Sequence, residues 1–296
     1  MSSEIRPRRS VLYVPGGNPR MHEKARGVAA DCVVIDLEDS VAPDAKVDAR
    51  KLTAETVRAG GFGPREVVIR VNQPGSEWFA EDLEAAGLAG PDAVLVTKTE
   101  TPEIIVDAAL TLARLGLEKP VALWAMIETP RGVINASAIA DLALGDNAAG
   151  LAGLVIGTND IAKATKARAV NGRAALVPSL VQTINAARAA GIFVLDGVFN
   201  DFSDMAGYEA ECVQGRDLGF DGKTLIHPSQ VELANKVFSP SEEEVDEARR
   251  IIAEFDLPEN KGKGAIRFEG RMVEILHADV ARQTLALAEA IQAQSV

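Results

Sequence analysis

The sequence predicts an α/β fold, a (β/α)8 TIM barrel followed by a C-terminal helical arm or lid. Three observations carry this. Eight short, β-branched apolar runs recur at long and fairly even intervals, at 10–14, 32–37, 67–71, 93–97, 121–127, 151–156, 192–195 and 222–226. Each run is continuous rather than alternating, as parallel strands buried on both faces require. The stretches between them carry apolar residues at helical spacing, so strand and helix alternate through the chain. A length of 296 residues fits this architecture as one domain.

The elements follow in order. After the first run, Asn18 is a fitting N-cap and Pro19 a fitting first helical residue for a helix over 20–30. Helices are predicted at 46–59, 77–89, 102–115, 135–143 and 178–190, with a weaker one at 204–218. Gly60-Gly61, Gly116, Gly191 and Gly219 stop helices shortly before the next strand. The rival architecture, an open doubly wound sheet, lacks a G-x-G-x-x-G after the first strand. Beyond the eighth run, Ser241 and Glu244 form a capping box that opens a helix at 242–255. A Pro/Gly/Lys-rich stretch at 257–264 follows, then an apolar segment at 266–275 and an Ala-rich helix from 278. The expected division is a barrel at 1–256 and an extension at 257–296, a lid or oligomer arm contacting a neighbouring subunit.

Composition narrows the function. Hydrophobic residues make up 47% of the chain and charged residues 25%, enough for a large core that needs no staple. Cys32 and Cys212 are too few for a disulfide framework, which fits a reducing cytoplasm. No apolar run reaches the roughly 18 residues of a spanning helix, and the basic, polar start is not expected to be a signal peptide. The net charge of −12 argues against nucleic-acid binding. That average conceals a basic segment: residues 1–26 carry six Arg or Lys against two Glu, a net +4, which leaves −16 on the remainder.

In a (β/α)8 barrel the chemistry sits at the C-terminal ends of the strands. Those ends supply Asp36, Glu38 and Asp39, then Arg70 and Asn72, Lys98, Glu128, Asn159 and Asp160, Asp196, and His227. Carboxylates thus leave strands two, five, six and seven and face one arginine and one lysine. Such a mouth, without a Cys or multi-His cluster, suits a hard divalent cation, and crowded carboxylates repel unless a cation offsets them. Zinc is disfavoured because His22, His227 and His277 have no ligand spacing. Any single acid here can instead cap a helix or pair with Lys98 or Arg70. Arg70 at a strand end suits a two-pronged grip on a carboxylate or oxyanion, or a salt bridge to Asp36 or Glu38.

Taken as an ordered set, five motifs make a family resemblance. They are Arg9-Ser10-Val11-Leu12-Tyr13-Val14-Pro15-Gly16, Asp36-Leu37-Glu38-Asp39-Ser40-Val41, Arg70-Val71-Asn72, Ile127-Glu128-Thr129-Pro130 and Gly222-Lys223-Thr224-Leu225-Ile226-His227-Pro228. The chain resembles the HpcH/HpaI aldolase superfamily over residues 8–292, in the citrate lyase beta subunit-like branch with malyl-CoA lyases and thioesterases. The resemblance implies a (β/α)8 barrel that forms homotrimers or homohexamers and uses Mg²⁺. It implies metal binding by Glu128 and Asp160, and substrate binding by Arg70, Glu128 and Asn159. It implies that Tyr13, Lys24, Ile226 and His227 border an acyl-CoA site, and that Asp36, Glu38 and Asp39 stand behind the metal and orient Arg70.

The activity so implied is Mg²⁺-dependent carbon–carbon cleavage, or condensation, of a 3-hydroxyacyl-CoA such as malyl-CoA, giving a small 2-oxo acid and an acyl-CoA. A thioesterase on the same substrate, a citryl-carrier lyase subunit and an aldolase for free 2-oxo acids are the alternatives. The last usually offers a histidine beside the second strand, and 36–40 contains none. A non-catalytic binding protein ranks last, since the acid pair and Arg70 are intact. Two departures stand out. Glu274 occupies the place where relatives use a lid aspartate in catalysis, one methylene longer, and Asn159 stands where many relatives carry a glutamate.

Overall fold

All eight runs become parallel strands: β1 (Ser10–Pro15), β2 (Cys32–Asp36), β3 (Glu66–Val71), β4 (Ala93–Val96), β5 (Ala122–Ile127), β6 (Leu151–Ile156), β7 (Phe193–Asp196) and β8 (Gly222–Leu225). The structure, a computed structural model, describes residues 5–144, 150–168 and 172–294. The strands pair in sequence order and close into a barrel. Its seam joins β1 to β8 through the pairs Ser10↔Lys223, Val11↔Thr224 and Leu12↔Leu225. Ser10 Oγ reinforces the seam by donating to Asn235 Oδ1 at 2.6 Å.

Strand parity decides what the barrel encloses. Val11, Val34, Val68, Leu95, Trp124, Val155 and Leu195 form one buried cluster inside it. Side chains two residues apart on a strand share a face. Tyr13, Asp36, Arg70 and Met126 are therefore the next interior positions on β1, β2, β3 and β5, and Glu128 follows Met126. Asp196, one residue beyond Leu195, takes the opposite face.

Around the strands run α1 (Pro19–Ala25), α2 (Lys46–Ala59), α3 (Phe79–Ala89), α4 (Pro102–Arg114), α5 (Pro130–Ala140), α6 (Thr158–Thr165), α7 (Val177–Ala190), α8 (Met205–Leu218) and α9 (Val231–Val237). Four of these differ from the expected pattern. α1 stops at Ala25, with Gly27 just beyond it, and not at residue 30. α5 starts five residues before the expected 135, because Thr129 Oγ1 caps the Gly132 amide and Pro130 opens the first turn. The short α6 and α9 have too few turns to show a period.

The chain divides into two compact units, Arg8–Asn235 and a second one built from Lys236 onward together with the stretch before Arg8. The second unit holds α10 (Glu242–Phe255), the antiparallel hairpin β9 (Ala265–Phe268) and β10 (Arg271–Glu274), and α11 (Ile275–Gln294). Its own core contains Ala248, Ile251, Ile266, Phe268, Val273, Ala278 and Ala281. The barrel unit thus ends before the expected limit at 256. α10 lies outside it because its apolar face packs with the hairpin and α11. The expected capping box is present, Ser241 and Glu244 exchanging hydrogen bonds. No helix among the described residues is long and apolar enough to cross a membrane.

Candidate active site

At the C-terminal ends of the barrel strands lies a cavity of about 360 Å³. Tyr13, Asp36, Arg70, Glu128, Asn159, Asp160 and Ile226 all line it. Seven residues spread over 213 positions of sequence are thus brought to one place by parity and barrel closure.

Asp36 and Arg70 are register partners on β2 and β3. The Arg70 guanidinium donates to both Asp36 oxygens, Nε to Oδ1 at 2.6 Å and Nη2 to Oδ2 at 2.8 Å. The same oxygens accept the Glu38 and Ser40 amides at 2.8 and 3.0 Å. Asp36 is therefore fully engaged, with the Arg70 guanidinium held across both of its oxygens. Burial opposes its ionisation, but the Arg70 charge and these hydrogen bonds hold its carboxyl below the usual carboxylate range. The remaining guanidinium nitrogen, Nη1, forms an ion pair with Glu38 Oε2 at 3.1 Å, and the guanidinium carbon sits 4.7 Å from the Tyr13 ring centroid. Glu38 itself is steadied from behind. The buried Lys46 amine donates to the Leu37 and Glu38 carbonyls at 2.8 and 2.6 Å, and Asn72 Nδ2 donates to the Leu37 carbonyl at 2.9 Å.

Glu128 follows β5 and is 1% exposed. Its Oε1 accepts the Lys98 amide at 2.8 Å, whereas its Oε2 is buried with no partner among the described residues. Lys98 makes that contact in a left-handed conformation, φ 45°, uncommon for a residue with a side chain. Its amine pairs with Glu38 and stands 3.9 Å from Glu128 Oε1. Gly157 leaves room for this carboxylate: a Cβ there would lie 2.4 Å from Glu128 Cβ and 2.8 Å from Oε2. Burial, then the Glu38 charge, push the Glu128 carboxyl up to about 8 against the pull of Lys98. Asp160, also in the lining, sits in the first turn of α6. Asn159 is exposed and exchanges hydrogen bonds with Asn200 at 3.1 and 2.8 Å.

Not every strand-end residue joins this group. Asp196 faces outward, where its carboxylate is wholly buried against Arg173 and Lys223, with Glu211 bonded to the same lysine. It is no part of the cavity lining, and the expectation of four carboxylate strands facing one mouth is corrected to three. Its register partner on β8 is Lys223, so parity places both in the layer between strands and helices. Lys24 is exposed on α1 and does not line the cavity. His227 is exposed and stacked on Phe202, centroids 4.7 Å apart, with its ring capping the following turn. Glu274 ends β10 in the second unit, its side chain exposed.

The residues present fit a hard divalent cation. No group of three or more His, Cys, Asp or Glu forms a ready cage among the described residues. A buried carboxylate oxygen without a partner among the described residues, in a cavity that a second carboxylate also lines, is the donor set of an ion that keeps waters and substrate oxygens as its other ligands. Neither Gly157 nor Met126 stands out from the sequence as part of the site. Parity counted back from Glu128 marks Met126, and the close approach of β6 to Glu128 explains Gly157.

The sequence profile of the HpcH/HpaI aldolase/citrate lyase family matches residues 9–228. A (3S)-malyl-CoA thioesterase of Cereibacter sphaeroides (strain KD131 / KCTC 12085) is 47% identical over 293 residues, 99% of both chains. The citrate lyase subunit beta of Escherichia coli (strain K12) is 34% identical over 97% of this chain and 95% of its own. Among solved structures, CitE of Mycobacterium tuberculosis in complex with magnesium, acetoacetate and coenzyme A superposes with a TM-score of 0.74 at 30% identity, covering 93% of this chain and 97% of that one.

Proposed function

The chain belongs to the HpcH/HpaI aldolase/citrate lyase family, and on that premise we propose that it hydrolyses a malyl-CoA-type thioester with Mg²⁺, giving malate and free CoA. The observation that carries this reading is the pairing of whole-length similarity to a malyl-CoA thioesterase with a cavity where Glu128, Asp160 and Arg70 converge. Carbon–carbon cleavage, placed first on sequence, becomes the second reading. It keeps a footing in the whole-length likeness to a citrate lyase subunit.

Glu128 Oε2 and the Asp160 carboxylate are the atoms to hold the cation. When bound, Mg²⁺ supplies Lewis-acid polarisation and a template for substrate oxygens. The chain supplies the rest. Formal charges around the cavity floor are two positive, Arg70 and Lys98, against three negative, Asp36, Glu38 and Glu128. Once Glu128 ionises, that floor carries one net negative charge, which a divalent ion offsets so that an acid can be accepted. Arg70, held by Asp36 through Nε and Nη2, presents Nη1 to the substrate's carboxylate, so the acid end is fixed before the thioester is attacked. Water adds to the thioester carbonyl, the carbon–sulfur bond breaks, and the thiol leaves with a proton. Ile226 in the lining and His227 beside it border the acyl chain, and Lys24 on the basic N-terminal segment is free to meet CoA phosphates. The exposed Glu274 carboxylate serves as the water's base, donated by a neighbouring copy in a homotrimer or homohexamer. The working compartment is the cytoplasm.

The test incubates the purified protein with malyl-CoA and Mg²⁺. Malate and CoA in equal amounts are expected, with activity lost on chelation and in Glu128→Ala or Asp160→Ala. Acetyl-CoA and glyoxylate as products would move the assignment to the lyase, and absence of both reactions would overturn it.

A further inference from the structure

The Tyr13 hydroxyl is the remaining buried polar atom of the cavity without a use. Its oxygen is shielded from solvent and finds no partner among the described residues, although Tyr13 lines the cavity. Three carboxylates lie within electrostatic reach, Asp36, Glu128 and Glu38, yet none accepts its proton. Asp36 has spent its oxygens on Arg70, Glu38 and Ser40, and Glu128 Oε1 is taken by Lys98. An unmade hydrogen bond in a buried site costs about 1–3 kcal/mol, so a donor kept in that state is best explained by a ligand that accepts from it.

The surroundings say which part of a ligand. Tyr13 stands on β1, whose register partner β2 carries Asp36, and the ring lies under the Arg70 guanidinium at 4.7 Å. Ring and guanidinium are thus in contact, and both residues line the cavity. We infer that Tyr13 Oη donates to an anionic oxygen of the substrate's 2-hydroxy acid unit, completing with Arg70 a two-residue clamp on the acid end rather than on the thioester. The clamp makes Tyr13 a determinant of specificity for substrates with a second carboxylate. A substrate with a methyl group in that place leaves the hydroxyl unpaired and is rejected.

The inference rests on the acid-binding part of the proposed function, and the experiment separates the two. Tyr13→Phe keeps the ring over Arg70 and removes the oxygen alone. Calorimetric titration of malate in the presence of Mg²⁺ is expected to give binding about tenfold weaker than wild type, the net value of one hydrogen bond to a charged acceptor. The Tm of the ligand-free variant is expected to equal or exceed that of wild type, because no protein contact is lost. The kcat/KM for malyl-CoA is expected to fall by a similar factor or more. Binding within twofold of wild type overturns the inference, as does a lower Tm with unchanged binding, the mark of a structural hydroxyl. Malate bound by the wild type without thioester turnover would sink the proposed function and leave the Tyr13 ratio decisive. Absence of malate binding to the wild type would overturn the clamp itself.

Discussion

Glu128 carries one oxygen with a partner and one without, and this asymmetry has a measurable cost. Its ordinary value is 4.5, and burial takes it to about 8. Between these, the unfolded chain has released the proton and the folded one has kept it, so this residue's contribution to stability falls as pH rises. Below about pH 4.5 both states are protonated and nothing is lost. The metal-free protein should therefore lose Tm relative to Glu128→Gln as pH is raised from 5 to 8. Added Mg²⁺ should restore the wild type at pH 8 and leave the variant unmoved, both read by a pH series of thermal melts. Glu128, Asp160 and Arg70 were legible in the sequence because each is a charged residue ending an apolar run. Lys98 was legible only as a strand end. Its left-handed backbone, which turns its amide onto Glu128, depends on tertiary contacts that no local pattern reports.

Among elements, parity explains both what the sequence reading found and what it missed. The eight strands were visible because both-face burial makes each a continuous apolar run. That same continuity hides which face any residue takes, so Asp196 looked like a mouth residue although it belongs to a buried ion group with Arg173, Lys223 and Glu211. Lys223 Nζ donates to Asp196 at 3.0 Å, Glu211 at 2.7 Å and the Gly197 carbonyl at 2.6 Å, and it is fully buried. Lys223→Met removes the only charge of β8 and strands two carboxylates facing one arginine. A loss of about 3–5 kcal/mol in urea unfolding is expected. A loss under 1 kcal/mol would show that Arg173 alone neutralises the group. The hairpin of β9 and β10 was likewise seen only as an apolar segment, since four-residue strands turn on Glu269 and Gly270, both at positive φ.

Across the whole molecule, two cores divide the chain. The smaller one, built on Ile251, Ile266, Phe268 and Val273, sits in a unit of its own. Ile266→Ala should destabilise that unit by about 2–5 kcal/mol. In calorimetry the lower transition should shift downward while the upper, barrel transition holds its temperature; a common shift of both would show one cooperative body. The sequence marked this boundary late, at 257, because a Pro/Gly-rich linker is easier to see than the packing allegiance of α10. The seam of the barrel has a consequence in time. β1 meets β8 through Ser10 and Lys223, 213 positions apart. At the usual pace of synthesis, about 5–20 residues per second, the first strand waits roughly 10–40 s on the ribosome for its partner. Until then the growing sheet has two open edges that invite pairing with other nascent chains. The barrel therefore owes its yield in the cell to whatever shields those edges during translation, and its expression should respond more strongly to slowed elongation than that of a helical protein of equal length.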